Sequence, residues 1–170
     1  MKKINLLPLL LFLAAFGGHA SVKPEKMDLL YNGHVFSVPQ KASVIASIGG
    51  SDNILALRYG AEKGKRYLAF SEIKGDEAVD FGCEPAVFFG AVFAASADAG
   101  CNPDELNAFK KVFVEKQDAG KWVGDKLTVY FSIGKELSFL FVFDGAGKAI
   151  KIDTDFLSKA ELKDVVSGAL

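Results

Sequence analysis

Histidine is the usual acid–base group near neutral pH, and the chain contains two, His19 and His34. His34 directly follows Asn32-Gly33, a dipeptide that favours the tight turn of a β-hairpin. A polar residue beside such a turn is expected to face water, and no Gly-x-Ser-x-Gly motif offers a nucleophile. We therefore predict that His34 is a solvated hairpin residue and that the chain has no catalytic residues.

The two cysteines, Cys83 and Cys101, are the next candidates for chemistry. A catalytic thiol needs a neighbouring base that lowers its pKa, and a zinc site needs several Cys or His ligands at fixed spacings. The chain has too few histidines for either. In an oxidising compartment a pair of cysteines favours a disulfide, and this one would stabilise the fold by about 3 kcal/mol. We predict a Cys83–Cys101 disulfide.

An acidic segment near the carboxyl end partly matches a calcium-binding loop. Asp153, Asp155 and Asp164 stand at its first, third and twelfth positions. However, Leu157 stands at the fifth position, and Ser158 replaces the glycine required at the sixth. A helix that begins at Ser158 explains the segment without an ion, so we predict no metal site.

The glycine-rich segment Gly145-Ala146-Gly147-Lys148 is too short between its glycines for a phosphate-binding loop and lacks the following Ser or Thr. It predicts a hairpin turn, and we expect no cofactor. The formal net charge of −1 gives no electrostatic basis for binding nucleic acid. The composition, half apolar and 24% charged, excludes a disordered chain.

Phenylalanine is unusually frequent, and Phe88, Phe89 and Phe93 fall on one short predicted helix. Large apolar side chains are expected where a sheet packs against helices, so the first interpretation is core. The alternatives are a cavity for an apolar small molecule, or an apolar patch for a protein partner. The pattern does not separate these two.

Residues 1–20 have the layout of a cleaved secretory signal peptide. Lys2 and Lys3 precede an apolar run over 6–16, and Gly18-His19-Ala20 places small residues before a cut at Ser21. The run is shorter than the about 20 residues that cross a bilayer, which argues against an uncleaved anchor and stable membrane insertion. We predict an exported protein, periplasmic or secreted, whose residues 21–170 form one globular domain.

The remaining patterns predict the elements of an α+β fold, mainly an antiparallel sheet with a disulfide-pinned helical hairpin insert and a C-terminal helix. The N-terminal half predicts a meander of about five strands within 27–38, 43–48, 53–59 and 65–73. Trp122 is predicted to lie in a Gly-bounded turn. Further strands are predicted over 126–133, 137–143 and 149–152.

Three helices are predicted from their start signals. A buried helix over 84–97 begins with Pro85, and an amphipathic one begins at Asn102-Pro103. The last helix opens with a capping box, Ser158 and Glu161.

These predictions indicate an exported, non-enzymatic binding protein, an inhibitor or immunity-type partner of another protein in the cell envelope. The alternative is a carrier or sensor of a small apolar ligand held between sheet and helices. A third hypothesis is a hydrolase that uses carboxylates alone, because acids are plentiful and that chemistry needs no histidine.

Overall fold

The computed structural model describes residues 25–50, 53–73, 80–94 and 100–170. The predicted signal peptide over 1–20 lies outside these ranges. Within them the chain is α+β, as predicted, with nine strands and three helices. The strands are β1 Lys26–Tyr31, β2 His34–Pro39, β3 Val44–Ile48, β4 Ile54–Arg58, β5 Tyr67–Glu72, β6 Asp118–Val123, β7 Leu127–Ile133, β8 Ser138–Asp144 and β9 Ala149–Thr154. The helices are α1 Pro85–Phe93, α2 Pro103–Phe113 and α3 Lys159–Ser167.

Seven strands form one antiparallel sheet in the order β3-β4-β5-β9-β8-β7-β6, and β1 and β2 form a separate hairpin. The prediction of one five-stranded N-terminal meander is therefore wrong in one respect, because its first two strands leave the sheet. The predicted Asn32-Gly33 turn is confirmed, with φ of 49° and 84°. Both residues adopt the left-handed backbone that this turn requires.

One face of the seven-stranded sheet, the inner face, is covered by the β1–β2 hairpin and α3. Phe36 and Val38 of the hairpin and Leu162 of α3 are fully buried there. Strand residues two apart point to the same side of a sheet, so alternate residues of β4, β5, β7, β8 and β9 complete this core. Burial of these side chains is the main favourable term in folding.

Helices α1 and α2 cover part of the other face, the outer face. Phe89 of α1 packs on Phe141 of β8, with ring centroids 4.4 Å apart, and Phe93 stacks on Tyr130 of β7. Phe139, Phe141 and Phe143 point to this face, whereas Leu140 and Val142 point to the inner core. This two-sided burial explains why β8 is apolar at nearly every position.

The predicted helix starts are confirmed. The Asn102 side chain accepts hydrogen bonds from the backbone N–H groups of Asp104 and Glu105, and Ser158 and Glu161 form a reciprocal capping box. Helix α1 begins at Pro85 and ends at Phe93, short of the predicted residue 97. Residues 95–99 lie outside the described ranges.

The prediction that Trp122 lies in a turn is wrong, because Trp122 lies inside the edge strand β6. Gly120, which suggested the turn, faces Phe131 of β7, and a Cβ at Gly120 would lie 2.8 Å from that ring. The missing side chain makes room for Phe131, on which Trp122 then stacks with centroids 4.5 Å apart. The glycine serves close packing within a strand instead of a change in chain direction.

The predicted disulfide is confirmed, since Cys83 and Cys101 are bonded. The bond joins the residue before α1's N-cap to the residue before α2's N-cap. The backbone N–H of Asn102 also donates to the carbonyl of Phe81, at 2.8 Å. The starts of the two helices are thus held together by one covalent bond and one hydrogen bond.

Candidate functional site

His34 is not a solvated residue, which corrects the prediction from the sequence. Its side chain is 20% exposed, and Nε2 lies 3.1 Å from Oδ2 of Asp144, the last residue of β8. The predicted turn over 144–147 is confirmed between β8 and β9. Asp144 Oδ1 accepts hydrogen bonds there from the backbone N–H groups of Ala146 and Lys148.

Burial raises the pKa of Asp144, but hydrogen bonds from Lys148 N–H, His34 and Ala146 N–H outweigh it, so the pKa is lowered. The carboxylate is therefore charged near neutral pH, and it orients the His34 ring through Nε2. This pair holds the hairpin to the sheet.

A cleft of about 450 Å³ lies beside the hairpin turn and is lined in part by Asn32, Glu72, Glu84 and Lys148. Lys148 Nζ donates to the carbonyl of Asn32, and Glu72 accepts from the side-chain amide of Asn53. These contacts bind strand ends and turns to one another. They indicate a structural use for Glu72 and Lys148, two of the charged residues that line the cleft.

The acids of the calcium-loop hypothesis are engaged by groups of the protein itself. Asp155 accepts hydrogen bonds from the backbone N–H groups of Arg66 and Tyr67, both at 2.9 Å. Asp153 pairs with Lys151 at 3.3 Å, and Asp164 pairs with Lys26 at 2.7 Å. No group of three or more potential metal ligands occurs within the described ranges.

The phenylalanines of α1 lie in the core, as the first interpretation predicted. Phe88 is fully buried and Phe89 is 2% exposed. Their rings contact each other, and both contact Phe81 and Phe109 with centroids 4.4 to 6.0 Å apart. An apolar ligand at this position would have to displace rings that already pack together.

The two edges of the seven-stranded sheet differ in how they are protected. Strand β6 carries the charged residues Asp118 and Lys121, and Lys159 of α3 binds the Asp118 carboxylate at 2.9 Å. Strand β3 has the sequence Val-Ile-Ala-Ser-Ile, without charge, and Ile45 and Ile48 are 60% and 58% exposed. Charges on an edge strand discourage pairing with another chain, and β3 has none.

The outer face of β3, β4 and β5 adjoins this edge, and we call it the open face. The residues that point to it are Val44, Ala46, Ile48, Ile54, Ala56, Arg58, Tyr67, Ala69 and Ser71. The apolar cluster beneath α1 and α2 includes no residue of β3 or β4. In the part of the chain that the structure describes, the helical layer thus covers β7 to β9 and leaves this apolar area without a helix.

Arg58 lies on the open face, and its Nε is buried without a hydrogen-bond partner. It is the one such side-chain atom in the described residues. The register neighbours of Arg58 are Val44 on β3 and Tyr67 on β5. The pKa of Tyr67 is raised to about 12, first by burial, then by the charge of Asp153 and a hydrogen bond to it, and last by the charge of Asp155. The hydroxyl is therefore protonated and can donate to Asp153. A buried N–H without an acceptor is uncommon in native proteins and calls for an explanation.

Reasoning from the sequence missed both the β3 edge and Arg58. An arginine that ends an apolar strand was the available signal, but the pattern does not reveal which strand lies at an edge.

None of the helices in the described part of the chain is long and apolar enough to cross a membrane. Comparison with protein-family models, curated proteins and solved structures finds no match for this chain.

Proposed function

We propose that this chain is an exported, non-enzymatic binding protein, an inhibitor or immunity-type partner of another protein in the cell envelope. The partner adds an extended segment to the sheet along β3. The observation that carries the proposal is the uncharged edge of β3, with Ile45 and Ile48 well exposed, in a sheet whose other edge is charged.

A free sheet edge can bind an extended segment through main-chain hydrogen bonds. Side chains on the two faces of the added strand then give specificity, because they alternate between the faces. At β3 one face presents Val44, Ala46 and Ile48, and the other presents Ile45. Both faces therefore offer apolar contact to a partner strand.

Export is supported by two features. The Cys83–Cys101 disulfide is typical of proteins that work in oxidising compartments. The layout of residues 1–20 predicts a cleaved signal peptide. Together they direct the search for a partner to envelope and secreted proteins.

The test is affinity capture from an envelope extract with three forms of the tagged protein: wild type, Ile45→Lys and Leu137→Lys. Leu137 is 43% exposed and lies outside β3, so it controls for adding a lysine at an exposed apolar position. We expect wild type and Leu137→Lys to retain one protein in near-equal amount, and Ile45→Lys to lose it. Equal thermal midpoints for the three forms would show that the fold is intact.

Two results would contradict the proposal. One is the same set of captured proteins for all three forms, or none for any. The other is a small apolar mass carried by gently purified wild-type protein in native mass spectrometry. That mass would favour the carrier alternative, with the ligand between the sheet and the helices.

A further inference from the structure

We propose that the partner segment bound along β3 carries a carboxylate that pairs with Arg58. This inference rests on the proposed function and specifies the chemistry of the partner. Arg58 would then be the residue of this surface that selects an acidic segment over a neutral one.

Arg58 points to the open face. Its neighbour Leu57 is fully buried in the inner core, and consecutive strand residues point to opposite sides of a sheet. Arg58 is thus the single charged residue among the ten residues of β3 and β4. Any segment that lies against β3 meets an apolar surface with one cationic group.

Two acids near Tyr67, the neighbour of Arg58 on β5, are engaged by other groups of the described residues. Asp153, on the same face, pairs with Lys151, and Asp155 accepts two backbone N–H groups. Arg58 has no ion pair with either, and its Nε is buried without an acceptor. Leaving a buried donor of a charged group unpaired is unfavourable. A carboxylate that comes from the β3 edge would pair with the terminal Nη groups of the same guanidinium, which are not enclosed, and not with Nε itself.

The strand register places that carboxylate. Tyr67, Arg58 and Val44 lie side by side across β5, β4 and β3, so an added strand places one residue opposite Val44 in the same row. Adjacent strands are about 4.8 Å apart, which puts this residue about 10 Å from Arg58 between Cβ atoms. The long side chains of arginine and glutamate together span that distance across Val44, whereas aspartate is shorter by one methylene.

The same register predicts the neighbours of the glutamate. The added residues opposite Ala46 and Ile48 also point to the open face, where the surface is apolar. They are therefore expected to be apolar as well. The segment that fits is an extended one with a glutamate followed or preceded, at alternate positions, by two apolar residues.

The test uses synthetic peptides with blocked ends in two orders, Thr-Glu-Thr-Val-Thr-Val-Thr for a parallel added strand and Thr-Val-Thr-Val-Thr-Glu-Thr for an antiparallel one. Each is compared with the same peptide with Gln in place of Glu. Each is titrated into isotopically labelled protein, and backbone amide shifts report both affinity and location. The proteins are wild type, Arg58→Gln, Arg58→Lys, Ile45→Lys, and Lys135→Gln as a control for removing an exposed charge elsewhere.

We expect the glutamate peptide to shift the amides of β3 and to bind wild type and Lys135→Gln about tenfold more tightly than the glutamine peptide. In Arg58→Gln the two peptides should bind equally. Arg58→Lys should keep part of the preference, because lysine retains the charge but not the two-pronged geometry. The preference should also weaken as salt is raised.

The outcomes separate this inference from the proposed function. If both peptides bind β3 of the wild type equally, Arg58 does not select an acid, although edge binding still holds. If no peptide of either order shifts β3 amides, or if Ile45→Lys binds as well as wild type, edge binding itself is refuted. A concentration-dependent doubling of mass that Ile45→Lys abolishes would assign β3 to a second copy of the chain and overturn both.

Discussion

His34 Nε2 lies 3.1 Å from Asp144 Oδ2, and this contact joins the first residue of β2 to the last residue of β8. The two strands belong to different sheets, so the pair helps to hold the β1–β2 hairpin over the inner core. Asp144 also organises the β8–β9 turn through two backbone N–H groups. One carboxylate thus supports both a local turn and a long-range contact.

Asp144→Asn should destabilise the protein near neutral pH and have little effect in acid. The pKa of Asp144 is lowered on folding, so its stabilisation is fully present above the ordinary aspartate pKa of about 4 and is lost as pH falls through the lower value. We expect a loss of about 1–2 kcal/mol at pH 7 in urea unfolding. Asp125→Asn, in an exposed turn, is the control. An equal loss at pH 7 and at pH 2 would contradict the prediction.

Replacing both Cys83 and Cys101 with serine should lower the free energy of unfolding by about 3 kcal/mol, because the disulfide restricts the unfolded chain. Urea unfolding of the variant and of wild type, without reductant, measures the difference. Thiol labelling of unfolded, unreduced wild type should find no free cysteine. An unchanged urea midpoint would show that the bond constrains little.

Gly82→Ala should be much more destabilising than Gly64→Ala. Both glycines have a positive φ, 66° and 72°, so alanine strains the backbone at each by about 1–2 kcal/mol. At Gly82 the new Cβ would also lie 2.8 Å from the backbone nitrogen of Asn102, the N-cap of α2, whereas Gly64 has open space. We expect Gly82→Ala to cost a further 1–3 kcal/mol or so. Thermal unfolding of the two variants side by side tests this, and equal midpoints would refute it.

Phe89→Ala should cost about 3–5 kcal/mol, as expected for removing a ring from a packed core. Phe89 is 2% exposed and contacts Phe141 and Phe143 of β8. Val112→Ala is the control, since Val112 is 58% exposed on α2 and its loss should change stability by about 0.5 kcal/mol or less. Chemical unfolding measures both. A loss at Phe89 no larger than at Val112 would mean that the aromatic cluster is loosely packed.

Local signals in the sequence predicted the elements whose causes are themselves local. Asn32-Gly33 predicted a turn, Asn102-Pro103 and Ser158 predicted helix starts, and the structure confirms all three. Each depends on backbone preferences or hydrogen bonds within about four residues. The alternating and continuous apolar runs likewise predicted the half-buried and central strands.

Glycine patterns were less informative, because a glycine serves either a turn or close packing. Gly120 was interpreted as part of a turn around Trp122, but it lies in β6, where the Phe131 ring occupies the space of a side chain. The partner that explains this glycine is on another strand. A signal of that kind is visible only once β6 and β7 are paired.

The sequence by itself determined the α+β class, the turns, the helix caps and the cysteine pair, because these follow from local preferences and from a count of two cysteines. Tertiary structure alone decided that β3 is an edge, that Arg58 lacks an acceptor and that His34 meets Asp144. Strand order and contacts between residues about a hundred positions apart depend on how whole faces pack. No pattern within one strand specifies that arrangement.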